Sequence, residues 1–301
     1  MPPKHLVCFA HGKESGPWGV KITRLAETAR RRGFEVLSPD YSRTPDPRAR
    51  LAQLLQLRPQ AQHALVLVGS SMGGWVSAMA TAALRPNAVL LIAPALYFPG
   101  YDAEPPAPPA LTAVVHGWDD DIVPVERAIR YAQKHRALLH LLDSGHTLND
   151  RLPMLELLFD QLLQRALLDA AYRATDYVVA SGVGDLVLHV DRYDAAIEAR
   201  LIDACGLRQQ WVLLSASNPG SQQLSTDDNR TRIEALRREI EQADVPRFAV
   251  NAHDPAAQWP DEISELLCDP PTGFAEDLAR RYGQNAIVRG QLGAAPELLW
   301  L

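Results

Sequence analysis

Along the first half of the chain, apolar residues gather in short runs: Leu6–Ala10, Phe34–Leu37, Leu65–Gly69, Ala88–Ala93, Leu111–His116 and Leu138–Leu142. These runs are continuous rather than alternating, as expected of strands buried on both faces. Between them lie stretches with helical spacing. Val20–Arg32 puts Ile22, Leu25, Ala26 and Ala29 on one face, and Arg48–Leu57 repeats Leu51, Leu54 and Leu55. Met72–Leu84, Val125–His135 and Leu152–Leu168 follow. Alternating strands and helices predict an α/β fold, a parallel sheet of about six strands with helices on both faces. Ligands of such sheets bind beyond the carboxyl ends of the strands, so the residues after each strand are read for chemistry.

From about Arg165 the pattern changes. Leu167–Tyr172 continues a helix, and Thr175–Ala180 and Leu186–Val190 read as strands joined by a turn at Gly182-Val183-Gly184. Ala195–Cys205 reads as a helix, Trp211–Ser215 as a strand, and Ala216–Gly220 as a loop. A helix over Arg230–Gln242 is expected to carry a Thr or Asp cap from Thr226-Asp227-Asp228-Asn229. Phe248–Asn251 and Ala286–Val288 read as strands around a helix at Phe274–Tyr282. The division expected is a first domain over 1–165 and a second, smaller mixed α+β domain over 166–301.

Charge sharpens this division. The 301 residues carry a net charge of −6, but a cut after Arg165 leaves +3 before it and −9 after it, with all four lysines in the first part. A mildly acidic chain is a poor general binder of nucleic acid or anionic membrane, so neither partner is expected. The longest apolar runs fall short of the roughly 20 residues of a membrane span. Cys8, Cys205 and Cys268 are odd in number and form no CxxC pair, which suits a reducing cytoplasm. After Met1-Pro2-Pro3-Lys4-His5 the apolar stretch is too short for a signal peptide. The oligomeric state stays open, a homodimer included.

The strand ends carry the candidate chemistry. Gly69-Ser70-Ser71-Met72-Gly73 matches G-x-S-x-G between a strand and a helix, the setting in which a serine on a sharp turn projects its Oγ above the sheet. A serine nucleophile needs a base, and the base needs an orienting acid. Ser71, an aspartate after the fifth strand and His146 after the sixth stand in the order Ser, Asp, His, each at a strand end.

On His11-Gly12, Gly69–Gly74, His116-Gly117-x-x-Asp120-x-x-x-Pro124 and Gly145-His146, residues 1–165 resemble the α/β-hydrolase family, particularly its small, nearly lidless, intracellular esterase-like members. The resemblance implies Ser71 as nucleophile, His146 as base and Asp120 as acid, the family spacing selecting Asp120 over the flanking Asp119 and Asp121. It implies an oxyanion hole from the backbone N–H of Met72 and a second donor from the loop after the first strand, Lys13 or else Gly12. It implies no metal and no organic cofactor.

The connection Pro94–Pro109 is too short and too broken by proline for a helical cap. Its Tyr97, Phe98 and Tyr101, with Trp18 and Trp118, are expected to line a shallow apolar acyl site; as plain loop aromatics they would only cover the sheet rim. So open a site suits a small or short-acyl ester or thioester as the small-molecule partner.

Residues 168–290 resemble a bacterial family of unknown function. The resemblance rests on Thr175-x-Tyr177, Trp211-x-x-x-Ser215-Ala216-x-Asn218-Pro219, Asn229-x-x-Arg232 and Arg281-Tyr282-Gly283-Gln284-Asn285-Ala286. It implies no activity. Asn218, Asn229, Arg232, Arg281, Gln284 and Asn285 form either a polar pocket for a small anion or nucleotide-like ligand, or a set of caps, an Asx turn and internal amide bonds. The functional expectation is a serine hydrolase. The alternative is a binding or regulatory protein whose second domain recognises a ligand or partner beside a weak or inactive hydrolase domain.

Overall fold

A computed structural model describes residues 1–101, 103–180, 186–256 and 259–301. The chain divides into two compact units, Met1–Ala170 and Ala171–Leu301.

The first unit runs β1 (His5–Ala10), α1 (Val20–Arg31), β2 (Glu35–Leu37), α2 (Pro47–Leu57), β3 (Ala64–Ser70), α3 (Met72–Leu84), β4 (Ala88–Ile92), β5 (Leu111–Gly117), α4 (Val125–His135), β6 (Leu138–Leu142) and α5 (Leu152–Ala174). All six strands are parallel, in the order β2-β1-β3-β4-β5-β6. The inner strands β3, β4 and β5 are buried almost throughout, because helices cover both faces, while the edge strands β2 and β6 expose Glu35 and Leu138. The carboxyl ends of β1, β3, β5 and β6 therefore open onto one rim. Helix α2 starts at Pro47 behind Asp46, whose Oδ2 accepts from the Ala49 N–H at 2.7 Å. Its two buried residues are Leu54 and a charged one, Arg50.

The second unit holds β7 (Asp176–Val179), β8 (Leu186–Leu188), α6 (Ala195–Cys205), β9 (Gln210–Ser215), α7 (Thr226–Gln242), β10 (Arg247–His253), β11 (Glu262–Cys268), α8 (Phe274–Arg281), β12 (Ala286–Gln291) and β13 (Glu297–Trp300). Its seven strands pair antiparallel in the order β13-β12-β9-β11-β10-β7-β8. Trp211 and Leu213 join one core with Leu201 and Cys205 of α6. Val212 and Leu214, on the other face, join a second with Ile233, Leu236 and Ile240 of α7 and Leu278 of α8. This is the smaller α+β domain.

As expected, Leu167–Tyr172 continues a helix, α5. Other local expectations change. Helix α7 begins at Thr226 rather than Arg230, and its cap is Ser225, whose Oγ accepts from the Asp228 N–H at 3.1 Å. Strands β11 and β13 were not expected. The turn at Gly182-Val183-Gly184 lies outside the described residues. Among those described, no helix is long and apolar enough to cross a membrane.

Candidate active site

Between β3 and α3 the backbone turns at Ser71 with φ 54° and ψ −118°. An L-residue adopts that region only under strain, of order 1–3 kcal/mol, where the surroundings hold it. Here they do. The Ser71 N–H donates to the Ile92 carbonyl at 2.9 Å, and its own carbonyl accepts from Gly74 and Ala95. Strand and helix approach so closely that a Cβ at Gly69 would lie 2.2 Å from the Gly73 carbonyl oxygen, and one at Gly73 1.9 Å from that of Ala10. The glycines of the motif are thus sterically required.

The turn aims Ser71 Oγ at His146 Nε2, 3.0 Å away. The opposite ring nitrogen, Nδ1, faces the Asp120 carboxylate at 2.8 Å to Oδ2 and 3.0 Å to Oδ1. Asp120 also accepts from the Ile122 and Val123 N–H groups at 3.0 and 2.8 Å, and buried His116 places Nε2 at 3.1 Å. The Val123 carbonyl, 2.8 Å from the same His116 nitrogen, can only accept, so Nε2 is the donor. Burial pushes the Asp120 carboxyl up, but the bonds from His116, His146 and the two amides outweigh it and hold it well below the usual carboxylate range. Asp119 and Asp121 are exposed on either side.

The loop after β1 is tied down from beneath. His11 is fully buried; its Nε2 accepts from the Tyr41 N–H at 2.9 Å, and its Nδ1 lies 2.8 Å from the Gly12 carbonyl. The Arg50 guanidinium, 1% exposed, donates from Nη1 to the carbonyls of His11 and Gly12, both at 3.1 Å, and from Nε to that of Thr44 at 2.5 Å. A Cβ on Gly12 would lie 3.5 Å from that of Ser71, so this loop borders the elbow. A cavity of about 600 Å³ opens above Ser71, walled by Gly12–Ser15, Gly19–Ile22, Ala95, Phe98, Tyr101, Ile122, Val123 and His146–Thr147.

A hydrolase assigned to the alpha/beta superfamily from Xanthomonas campestris pv. campestris is 32% identical over 54% of this chain and 99% of its own, with a TM-score of 0.49. That identity spans essentially the whole relative and falls on the unit that carries the elbow. The N-terminal unit belongs to the α/β-hydrolase superfamily. A serine hydrolase without lid from Xanthomonas campestris is 25% identical over 55% of this chain and 83% of its own, at a TM-score of 0.41. Est1E from Butyrivibrio proteoclasticus is 16% identical over 56% and 90%, at 0.49. In the second unit the family model described as "Protein of unknown function (DUF3293)" matches residues 214–287. No curated protein matches the chain.

Of the five aromatics expected around the α/β-hydrolase cavity, Phe98 and Tyr101 line it. Trp18 and Trp118 are exposed outside that lining. Tyr97 also lies outside it, because Glu104 accepts from its hydroxyl at 2.9 Å and the Arg130 guanidinium stacks on its ring at 3.9 Å. Among its described residues, Pro94–Pro109 forms no helical cap.

The polar residues of the second unit, read either as a pocket or as caps and internal amide bonds, are bonded to one another and to the backbone. Asn229 donates to Asn218 Oδ1 at 2.9 Å and accepts from the Asn218 N–H at 3.0 Å. Arg232 donates to the carbonyls of Ala216 and Tyr282, Gln284 to that of Ser217, and Asn285 to Ser221 Oγ. These bonds fix the loop after β9. Arg281 stands apart, paired with Glu239 at 2.7 Å.

Two residues of the hydrolase site escaped the sequence reading. Arg50 sits one helical turn before core Leu54, and that spacing was its only signal. Lys21 lines the cavity from the first turn of α1, on an exposed-looking position of an amphipathic pattern.

Proposed function

We propose that the N-terminal unit is a serine hydrolase of small or short-acyl carboxylic esters or thioesters, working through an acyl-enzyme. The observation that carries this reading is the unbroken relay from Ser71 Oγ through His146 to Asp120 at the elbow. Ser71 attacks the acyl carbon while His146 Nε2 takes its proton. The same proton then goes to the departing alcohol or thiol. Asp120 accepts from His146 Nδ1 throughout, so the ring keeps the tautomer that leaves Nε2 free to accept. Water enters by the same route in reverse and releases the acid.

The oxyanion is received by the N–H of Met72, at the start of α3, and by that of Lys13. In a trans peptide the carbonyl and the following N–H point opposite ways. Arg50 and His11 hold the Gly12 carbonyl on the buried side, which turns the Lys13 N–H outward to the cavity that Lys13 lines. Removal of one such donor typically costs about 10²–10³ in kcat. The open cavity, apolar at Val20, Ile22, Phe98 and Ile122, suits a short acyl chain.

The test is a series of p-nitrophenyl esters and acyl thioesters of rising chain length. Turnover of the short members by wild type and none by Ser71→Ala is the expected result. Equal turnover by both proteins, or a preference for long chains, contradicts it.

A further inference from the structure

We propose that the substrate of this site carries a carboxylate, and that Lys21 is the specificity-determining residue that receives it. The inference rests on the ester- or thioester-cleaving reading above.

Lys21 is half-buried in the cavity wall, at the second position of α1. Its Nζ donates to the Thr147 carbonyl at 2.5 Å, on the residue next to the base His146. An ammonium has three N–H donors and no acceptor. Among the described residues no carboxylate lies within salt-bridge distance of this one, and Thr147 is its one protein acceptor. Asp120 acts on it through space, but its oxygens are already taken by His146, His116 and two backbone amides. Burial pushes the Lys21 ammonium down to about 8, against the opposing pull of Asp120. A desolvated cation without a counter-ion is costly unless something else supplies the charge.

The rest of the wall agrees. Its charged residues are Lys13, Glu14 and Lys21, and Lys13 and Glu14 are both exposed. A carboxylate entering beside His146 therefore meets one half-desolvated ammonium with donors to spare. A merely structural Lys21 would clamp the His146 loop to α1, and its removal would damage every substrate alike. A receiving Lys21 makes the damage depend on the substrate's charge.

Kinetics on the full chain separate the two. One pair of substrates places the carboxylate on the acyl part: mono-p-nitrophenyl glutarate against p-nitrophenyl butyrate. A second places it on the leaving group: 3-acetoxybenzoate against phenyl acetate. Taking the ratio of wild type to variant cancels intrinsic reactivity within each pair. In at least one pair, Lys21→Met is expected to lower kcat/KM for the charged ester by about tenfold or more while the neutral ester stays within about twofold. Lys21→Arg should retain most of the preference. The affected pair tells whether the acyl or the alcohol part bears the charge. Phosphonate labelling of Ser71 by a neutral reagent, at wild-type rate in Lys21→Met, shows that the elbow is intact. Parallel loss on charged and neutral esters, or no change on either, overturns the proposal while leaving the hydrolase reading in place. A wild-type protein that cleaves no ester and takes no label overturns both.

Discussion

His146 Nε2 stands 3.0 Å from Ser71 Oγ, although 75 positions separate the two residues in the chain. Three things bring them together: the strained turn at Ser71, the parallel register of β3 through β6, and the Asp120 carboxylate behind the imidazole.

Asp120 is singled out among three consecutive aspartates by its direction. It turns inward to His146, His116 and two amides, whereas Asp119 and Asp121 face solvent. Asp120→Asn is expected to lower kcat by about 10³–10⁴ with little change in KM, because the amide favours the wrong imidazole tautomer. Asp119→Asn and Asp121→Asn should stay near wild type. Steady-state kinetics on one short ester check all three.

The turn at Ser71 stores strain that glycine would relieve. Both Ser71→Ala and Ser71→Gly delete the hydroxyl, but only the second removes the Cβ from φ 54°. The glycine variant is expected to be the more stable of the two, by about 1 kcal/mol. Urea unfolding followed by circular dichroism measures the difference; an alanine variant that equals or exceeds the glycine one shows that the turn is relaxed.

Arg50 supports the loop after β1 from a buried position. Arg50→Met leaves the carbonyls of Thr44 and His11 without this donor, while that of Gly12 keeps the bond from His11 Nδ1. Each buried orphan costs about 1–3 kcal/mol. A marked loss of unfolding free energy is expected. In the fraction that remains folded, phosphonate labelling should be slower than in wild type, because the Lys13 N–H is then held through His11 alone. Labelling at the wild-type rate would mean that the loop keeps its shape without Arg50.

His5 makes folding sensitive to acid. Burial, helped by the nearby Lys4 and His63, lowers its pKa from 6.5 to about 4, and its Nδ1 is buried without a partner. Below 6.5 the unfolded chain takes up a proton that the folded one refuses. Stability is therefore present above pH 6.5 and falls as the pH drops from there to about 4. His5→Phe should reduce the difference in urea midpoint between pH 7 and pH 5. It will not abolish it, because burial also lowers His11, His135 and His140. An unchanged difference would remove His5 from the account.

Much of the N-terminal fold was legible because buried parallel strands leave a plain sequence trace. All six strands and the principal helices followed from apolar runs and helical spacing, and the serine, aspartate and histidine fell at the strand ends. Where charge is buried, the trace disappears. Arg50 looked like a surface residue of α2. Strand β11 was missed since Glu262 and Glu265 interrupt its apolar run; Glu265 is fully buried, held by Arg237 at 2.6 Å and Arg247 at 3.1 Å. No local pattern announces partners 18 and 28 positions away. The polar residues of the second unit were visible as a group, but amides that bind a ligand and amides that bind each other look alike in sequence. Trp18, Tyr97 and Trp118 stand as near the site in sequence as Phe98 and Tyr101 do, and no local pattern separates the three from the two that line the cavity.

Intact-mass spectrometry after treatment with a fluorophosphonate tests the central claim most directly, with wild type, Ser71→Ala and His146→Ala run side by side. An activated Ser71 predicts one adduct on wild type and none on either variant within the same time. No adduct on a folded wild-type protein, or an adduct that persists in Ser71→Ala, contradicts it.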